Sequence, residues 1–174
     1  ELTYKNYTEK VRPLKSAMLN KFVENAKGAL DLKDYKTSYA NLESAFRVSP
    51  SDTLYLYNAA LLATETKDFD VAMDFYRELE DLGFTGVSTN YYAIEVETGE
   101  EQSFASESNR DLFVKAGSHK DGRNELTVSV QLNVFRSMAA IYKNLGDTDN
   151  ALSYIYKAKE ISSEDINLIL LESN

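Results

Sequence analysis

A short turn centred on an aspartate occurs three times in this 174-residue chain and sets the phase of everything around it. The turns are Lys33-Asp34-Tyr35, Lys67-Asp68-Phe69 and Gly146-Asp147-Thr148. The first two aspartates are 34 residues apart, which is the period of a helix-turn-helix repeat. The third lies 79 residues after the second, which is one further period and 45 additional residues. The spacing therefore predicts three helical hairpins, with an insertion before the third.

Apolar residues recur three and four positions apart on both sides of each turn, as one face of an α-helix requires. The first helix is predicted to start near Pro13 or Leu14, because proline disfavours a helical residue before it. The second helix is expected to end at Pro50, which stops helix propagation. Residues 54–63 are apolar nearly all round, which indicates a helix with neighbours on both sides.

Small and bulky residues occupy matching positions in the three hairpins. The matching residues are Phe22, Ala26, Ala29, Ala45 and Pro50 in the first, Leu56, Ala60, Ala72 and Tyr76 in the second, and Phe135, Ala139, Tyr142, Gly146, Ala151 and Ala158 in the third. Small residues let antiparallel helices approach closely, and bulky ones fill the gaps around them. In this pattern the hairpins resemble tetratricopeptide repeats. Ser38 and Leu42 depart from it, since the family usually has a small alanine and a bulky aromatic there.

The resemblance implies an all-α fold, an α-α superhelix of tetratricopeptide-like helical hairpins, because one hairpin cannot bury its own apolar face. We expect a single domain. Its predicted parts are a lead-in and the start of the first helix at 1–18, repeats at 19–52, 53–86 and 132–165, and an insertion at 87–131. Residues 166–174 are predicted to start a truncated fourth repeat or to form a capping helix.

The insertion is predicted to contain a small β-hairpin. Residues 90–96 have strand composition, and a turn containing Gly99 leads into a returning strand at 101–104. Ser106 or Ser108 is expected to cap a short helix, from Asn109 to Ala116. The polar stretch that follows, Ser118 to Val128, is predicted to form a loop with a turn at Asp121-Gly122.

The composition of the chain limits the class of partner, and the order of segments within the insertion bears on the cellular compartment. With 19 basic and 28 acidic residues the net charge is -9, so no nucleic-acid partner is expected. The chain has no cysteine, and its longest apolar run is far below the roughly 18 residues that span a bilayer. The order of segments in the insertion is similar to that of uncharacterised repeat proteins exported by Gram-negative bacteria. A periplasmic or otherwise exported protein, with its leader removed, is therefore slightly favoured over a cytoplasmic one.

No arrangement of side chains predicts catalysis, a metal site or a cofactor. His119 is the only histidine, and it is predicted to lie in a solvent-exposed loop without a nucleophile or a second ligand at a recognisable spacing. Four glutamates, Glu95, Glu97, Glu100 and Glu101, surround the predicted hairpin turn, where water is expected to solvate them. An acidic recognition patch is the alternative interpretation of those glutamates.

The resemblance also implies where a partner binds, because the first helix of each tetratricopeptide hairpin lines a concave groove. The residues at groove positions are Lys27 in the first unit, Leu54, Tyr57, Asn58 and Leu61 in the second, and Asn133, Arg136 and Lys143 in the third. One subfamily clamps the C-terminal carboxylate of chaperones with a Lys/Asn/Arg set. Only Asn58 matches that set here, so capture of chaperone tails is not expected.

The sequence thus predicts a non-catalytic scaffold that binds a peptide or protein segment in a groove of mixed polarity. A small-ligand-binding or enzymatic module built on the insertion is the first alternative. A self-assembling array that associates through its terminal helix is the second.

Overall fold

The computed structural model describes the backbone of residues 2–165 and the side chains of residues 11–165. Within that range the helices are α1 (Leu2–Asp31), α2 (Tyr35–Val48), α3 (Leu54–Glu65), α4 (Phe69–Asp81), α5 (Glu107–Lys115), α6 (Gln131–Asn144) and α7 (Thr148–Ile161). The strands are β1 (Thr89–Glu95), β2 (Glu101–Phe104) and β3 (His119–Leu126). The chain divides into a helical unit with α1–α4, α6 and α7, and a smaller unit, Thr85–Val130. The predicted fourth-repeat segment, 166–174, lies outside the described residues.

The helical unit consists of hairpins, which confirms the predicted repeat fold. The pairs α1–α2, α3–α4 and α6–α7 pack together, and α3 also packs on α2. On α3 the small residues Ala59, Ala60 and Ala63 are fully buried, so neighbouring helices approach it closely from both sides. Large side chains such as Tyr76 and Leu79 on α4 are fully buried beside them.

The backbone of the three aspartate turns is the same. The residue before each aspartate is left-handed, with φ of 59° at Lys33, 60° at Lys67 and 78° at Gly146. The N–H of each aspartate donates to the carbonyl five residues earlier, and the N–H of the left-handed residue donates to the carbonyl three residues earlier. These two bonds satisfy the last carbonyls of the preceding helix, as in a Schellman motif.

Two of the aspartates cap the helix that follows them. Asp34 Oδ1 accepts the N–H of Thr37 at 3.2 Å, and Asp147 Oδ1 accepts the N–H of Asn150 at 3.1 Å. The pKa of both aspartates is lowered, first by hydrogen bonds from the side chains of Thr37 and Asn150 and then by these backbone bonds, because both kinds favour the carboxylate form. Each carboxylate also satisfies a backbone donor that the first helical turn leaves free.

Asp68 acts differently, because it ties its turn to the preceding hairpin. Its carboxylate accepts hydrogen bonds from Lys36 Nζ at 3.1 Å, Tyr39 Oη at 3.2 Å and Thr66 Oγ1 at 2.9 Å. Lys36 and Tyr39 belong to α2, so the turn between α3 and α4 is joined to the first hairpin. The bond from Lys36 is the main reason why the pKa of Asp68 is lowered.

The first helix is longer than predicted. It runs without interruption through Pro13, so the expectation that it starts near Pro13 or Leu14 is wrong. Proline removes one backbone donor, but its φ is compatible with a helix. Once a helix has formed, each added residue costs little compared with nucleation, so a single lost bond need not end it.

The smaller unit is an antiparallel sheet with strand order β2-β1-β3, and α5 packs against it. The predicted hairpin is present, with Tyr91 opposite Phe104. Ser106 Oγ accepts the N–H of Asn109 at 3.2 Å and caps α5, as expected. The predicted loop after α5 is wrong, because most of it is strand β3. Strand β3 pairs with β1 along one edge and leaves its other edge in solvent, which accommodates its many charged residues. Because of these charges, the sequence does not have the composition expected of a strand.

Candidate partner-binding site

An open cavity of about 390 Å³ lies between α1, α2 and α3 in the helical unit. Three predicted groove residues line it: Lys27, Asn58 and Leu61. The other lining residues are Val23, Ala26, Leu30, Ser38, Leu42 and Leu62. The walls are therefore largely aliphatic, with polar groups at few points.

Leu42, which lines the cavity, is smaller than its counterpart in the next hairpin. The position 34 residues later is Tyr76, whose side chain is fully buried, and a smaller side chain at such a position leaves more free space. At the floor of the cavity, buried Ser38 donates its hydroxyl to the carbonyl of Ala26 at 2.9 Å. Because that hydroxyl has already donated its hydrogen and the side chain is buried, the floor presents no free donor and favours an apolar guest.

The rim of the cavity carries the polar groups. Lys27 and Asn58 are exposed, and neither has a hydrogen-bond or ion-pair partner among residues 11–165. Leu30 and Leu61 beside them are 44% and 39% exposed. An ammonium and an amide at the edge of an aliphatic hollow provide donors for a carboxylate or a peptide carbonyl.

Tyr57 and Asn133 form a separate contact outside the cavity lining. The ring of Tyr57 packs on Phe84 with centroids 5.4 Å apart. The side chains of Tyr57 and Asn133 share a hydrogen bond between α3 and α6, while burial raises the pKa of Tyr57. Both residues are thus engaged in holding two hairpins together.

The remaining predicted groove residues do not line the cavity. Arg136 Nη1 lies 3.1 Å from Asp165 Oδ2, so its guanidinium is already paired. Leu54 is exposed and Lys143 is half-buried, each on the first helix of its hairpin. The eight predicted residues therefore do not form one continuous set around the cavity.

Sequence reasoning missed the contribution of α2. It placed the groove on the first helix of each hairpin, whereas Ser38 and Leu42 of α2 form part of the cavity. Both depart from the repeat pattern. Leu42 stands where the repeat pattern has a bulky aromatic residue, and Ser38 stands where it has a small alanine. A smaller residue at the first position, beside a polar one at the second, is the signal that predicts unfilled space.

His119 does not lie in an exposed loop, and that prediction is wrong. Its side chain is buried on strand β3, edge-on to Phe104 and Phe113 at centroid distances of 5.2 and 5.3 Å. Its Nε2 lies 3.2 Å from Gln102 Oε1, and its Nδ1 lies 3.1 Å from Ser118 Oγ. Both ring nitrogens are therefore occupied by structural contacts.

The glutamates at the hairpin do not converge on a cleft. Glu101 receives a forked pair of hydrogen bonds from Arg123, at 2.8 and 2.9 Å, and this pair lowers the pKa of Glu101. The guanidinium of Arg123 also stacks over Tyr92 at 4.5 Å. Glu95 instead accepts the hydroxyl of Thr98 at 2.7 Å. These carboxylates serve local ion pairs and a turn.

Across the described part of the chain, no helix combines the length and the apolar character that crossing a bilayer requires.

Comparison with known proteins supports the helical repeat. A tetratricopeptide repeat family model matches residues 137–165, which cover most of the α6–α7 hairpin. No curated protein matches the sequence. The chain is similar in structure to the N-terminal domain of stress-induced protein-1 (STI-1) from C. elegans, with a TM-score of 0.54 and 12% identity over 90% of this chain and 96% of that chain. At this identity the likeness concerns the fold. The match in the third hairpin and the shared fold together support a fold of tetratricopeptide-like helical hairpins in this chain.

Proposed function

We propose that this protein is a non-catalytic protein–protein interaction module that holds a segment of a partner in the cavity between α1, α2 and α3. The observation that carries the proposal is an open aliphatic hollow with unpaired donors only at its rim. Its volume of about 390 Å³ lies within the roughly 300–1,000 Å³ usual for binding pockets.

The chemistry of the hollow defines the partner segment. A bulky apolar side chain enters between Leu42 and Leu62, where burial removes its surface from water. An acidic residue or a carbonyl next to that anchor accepts hydrogen bonds from Lys27 and Asn58 at the rim. A polar anchor that needs a hydrogen-bond donor is disfavoured because Ser38 has already donated its hydrogen to the carbonyl of Ala26.

Two substitutions and a control test the proposal. Leu42→Phe fills the hollow, and Lys27→Glu reverses the charge at its rim. Lys115→Glu is the matched control, since Lys115 is an exposed lysine on α5. Peptides are first selected on the wild-type protein from a library in which one bulky apolar residue adjoins an acidic residue.

Each of the two cavity variants should weaken binding of the selected peptides by about tenfold or more, which corresponds to ~1.4 kcal/mol. Lys115→Glu should bind as the wild type does, and circular dichroism should show equal helix content in all variants. If both cavity variants bind the peptides with unchanged affinity, the cavity is not the binding site.

A further inference from the structure

The hollow between α1, α2 and α3 has a counterpart in the second hairpin. Four of the residues that line it recur at the same repeat positions one unit later, the pairs being Val23 and Tyr57, Leu30 and Thr64, and Leu42 and Tyr76 at a spacing of 34, and Asn58 and Ser137 at a spacing of 79. These are the spacings of the aspartate turns, so both members of a pair have the same position in their hairpins. The two sites can therefore be compared residue by residue.

Three of these counterparts interact with the side chain of Tyr76. Thr64 Oγ1 donates a hydrogen bond to Tyr76 Oη at 3.4 Å, and Ser137 shares a hydrogen bond with the same hydroxyl. Tyr57 lies near enough to interact electrostatically with it. Tyr76 itself is fully buried. The site that is open in the first hairpin is thus occupied in the second by an aromatic ring of the chain itself.

The hollow offers fewer polar partners than its counterpart in the second hairpin. Leu30 stands where the second hairpin has the hydroxyl of Thr64. Ser38 at the floor has already donated its hydrogen to a backbone carbonyl. The polar side chains of Lys27 and Asn58 lie at the exposed rim. A ring that enters the hollow therefore meets aliphatic walls, with no free donor for a phenol oxygen away from the rim.

We propose that the hollow is selective for an aromatic anchor without a polar group, the phenylalanine side chain, whose ring takes the position that Tyr76 has in the second hairpin. This inference rests on the proposed function and narrows its bulky apolar anchor to one chemical class. A planar ring restores the close packing that Leu42 leaves incomplete, whereas a branched aliphatic side chain fits the site of a ring less well. The acidic residue beside the anchor still meets Lys27.

Four peptides that differ at one residue test the preference. They carry phenylalanine, leucine, tyrosine or alanine next to a glutamate, and isothermal titration measures their affinities for the wild type, Lys27→Glu and Leu42→Phe. The phenylalanine peptide should bind the wild type at least about threefold more tightly than the leucine and tyrosine peptides, and about tenfold or more tightly than the alanine peptide.

The same titrations separate failure of the inference from failure of the proposed function. A leucine or tyrosine peptide that binds as tightly as the phenylalanine peptide overturns the inference, while its weaker binding to Lys27→Glu and Leu42→Phe would still support the cavity as the binding site. If neither substitution changes any of the four affinities, the proposed function fails and the inference fails with it.

The Leu42→Phe variant also tests the inference without a peptide, because it supplies the ring from the chain itself. If the hollow accommodates a ring, this variant should have a higher urea midpoint than the wild type, with equal helix content. Leu79→Phe is the matched control, since Leu79 on α4 is fully buried and a larger side chain there should lower the midpoint by overpacking. A lower midpoint for Leu42→Phe overturns the inference, whatever the binding data show for the proposed function.

Discussion

The left-handed residues of the repeat turns offer a prediction whose size follows from the backbone. Lys67 has φ of 60° and Lys33 has φ of 59°, a region where a Cβ costs about 1–2 kcal/mol. Glycine avoids this cost but loses about 0.5–1 kcal/mol more conformational entropy on folding. We therefore expect Lys67→Gly to raise the free energy of unfolding by about 0.5–1 kcal/mol.

The third turn provides the reciprocal experiment. Gly146 already occupies the left-handed position, with φ of 78°. A Cβ built there meets nothing within 4 Å, so a substitution is strained only through the backbone. Gly146→Ala should therefore lower the free energy of unfolding by about 1 kcal/mol.

Urea unfolding followed by circular dichroism measures both changes. In thermal unfolding, a gain of about 1 kcal/mol in the free energy of unfolding should raise the melting temperature by roughly 2–4 °C for a chain of this length. Lys21→Gly is the control, because Lys21 lies within α1 in a right-handed conformation, where glycine destabilises by about 1 kcal/mol. A Lys67→Gly variant that is less stable than the wild type, with unchanged helix content, would refute the reasoning.

Three further predictions concern packing and electrostatics. Leu79→Ala removes a fully buried side chain and should cost about 2–5 kcal/mol in urea unfolding; a loss below about 1 kcal/mol would contradict the packing. Because the folded-state pKa of Asp68 is lowered, its carboxylate should stabilise the fold above its unfolded-state pKa and lose this effect as pH falls through the folded-state pKa. Asp68→Asn should therefore be less stable than the wild type at neutral pH, and the difference should shrink in acid; an equal difference at both pH values would contradict this linkage. His119→Ala should accelerate amide exchange in β2 and α5, while uniform acceleration over the whole chain would argue against a local role.

The helical repeat was predictable because its signals are periodic. Asp34 and Asp68 recur at 34 residues, and the small residues Ala26 and Ala60 recur in phase with them. Each signal is weak alone, but stacking hairpins require all of them together. The hairpin of β1 and β2 was also predictable, since a glycine turn separates two short segments of strand composition.

The features that were missed depend on contacts distant in sequence. Strand β3 has too few apolar residues to show the alternation typical of a strand, so only its pairing with β1 identifies it. That pairing also places His119 against Phe104 and Phe113. The cavity could be recognised only by comparing the positions of Leu42 and Tyr76 in three dimensions. The length of α1 was hidden by Pro13, whose local preference a long helix overrides. The expectation of an exported location stays a prediction.

The most direct test of the central claim is an NMR titration of the protein, labelled at its leucine methyl groups, with a selected peptide. Binding in the cavity predicts shifts confined to the leucines that line it, Leu30, Leu42, Leu61 and Leu62. Exposed leucines elsewhere, such as Leu112 and Leu145, should not move. Shifts at Leu112 or Leu145 with unchanged cavity leucines would contradict the assignment of this cavity as the partner-binding site.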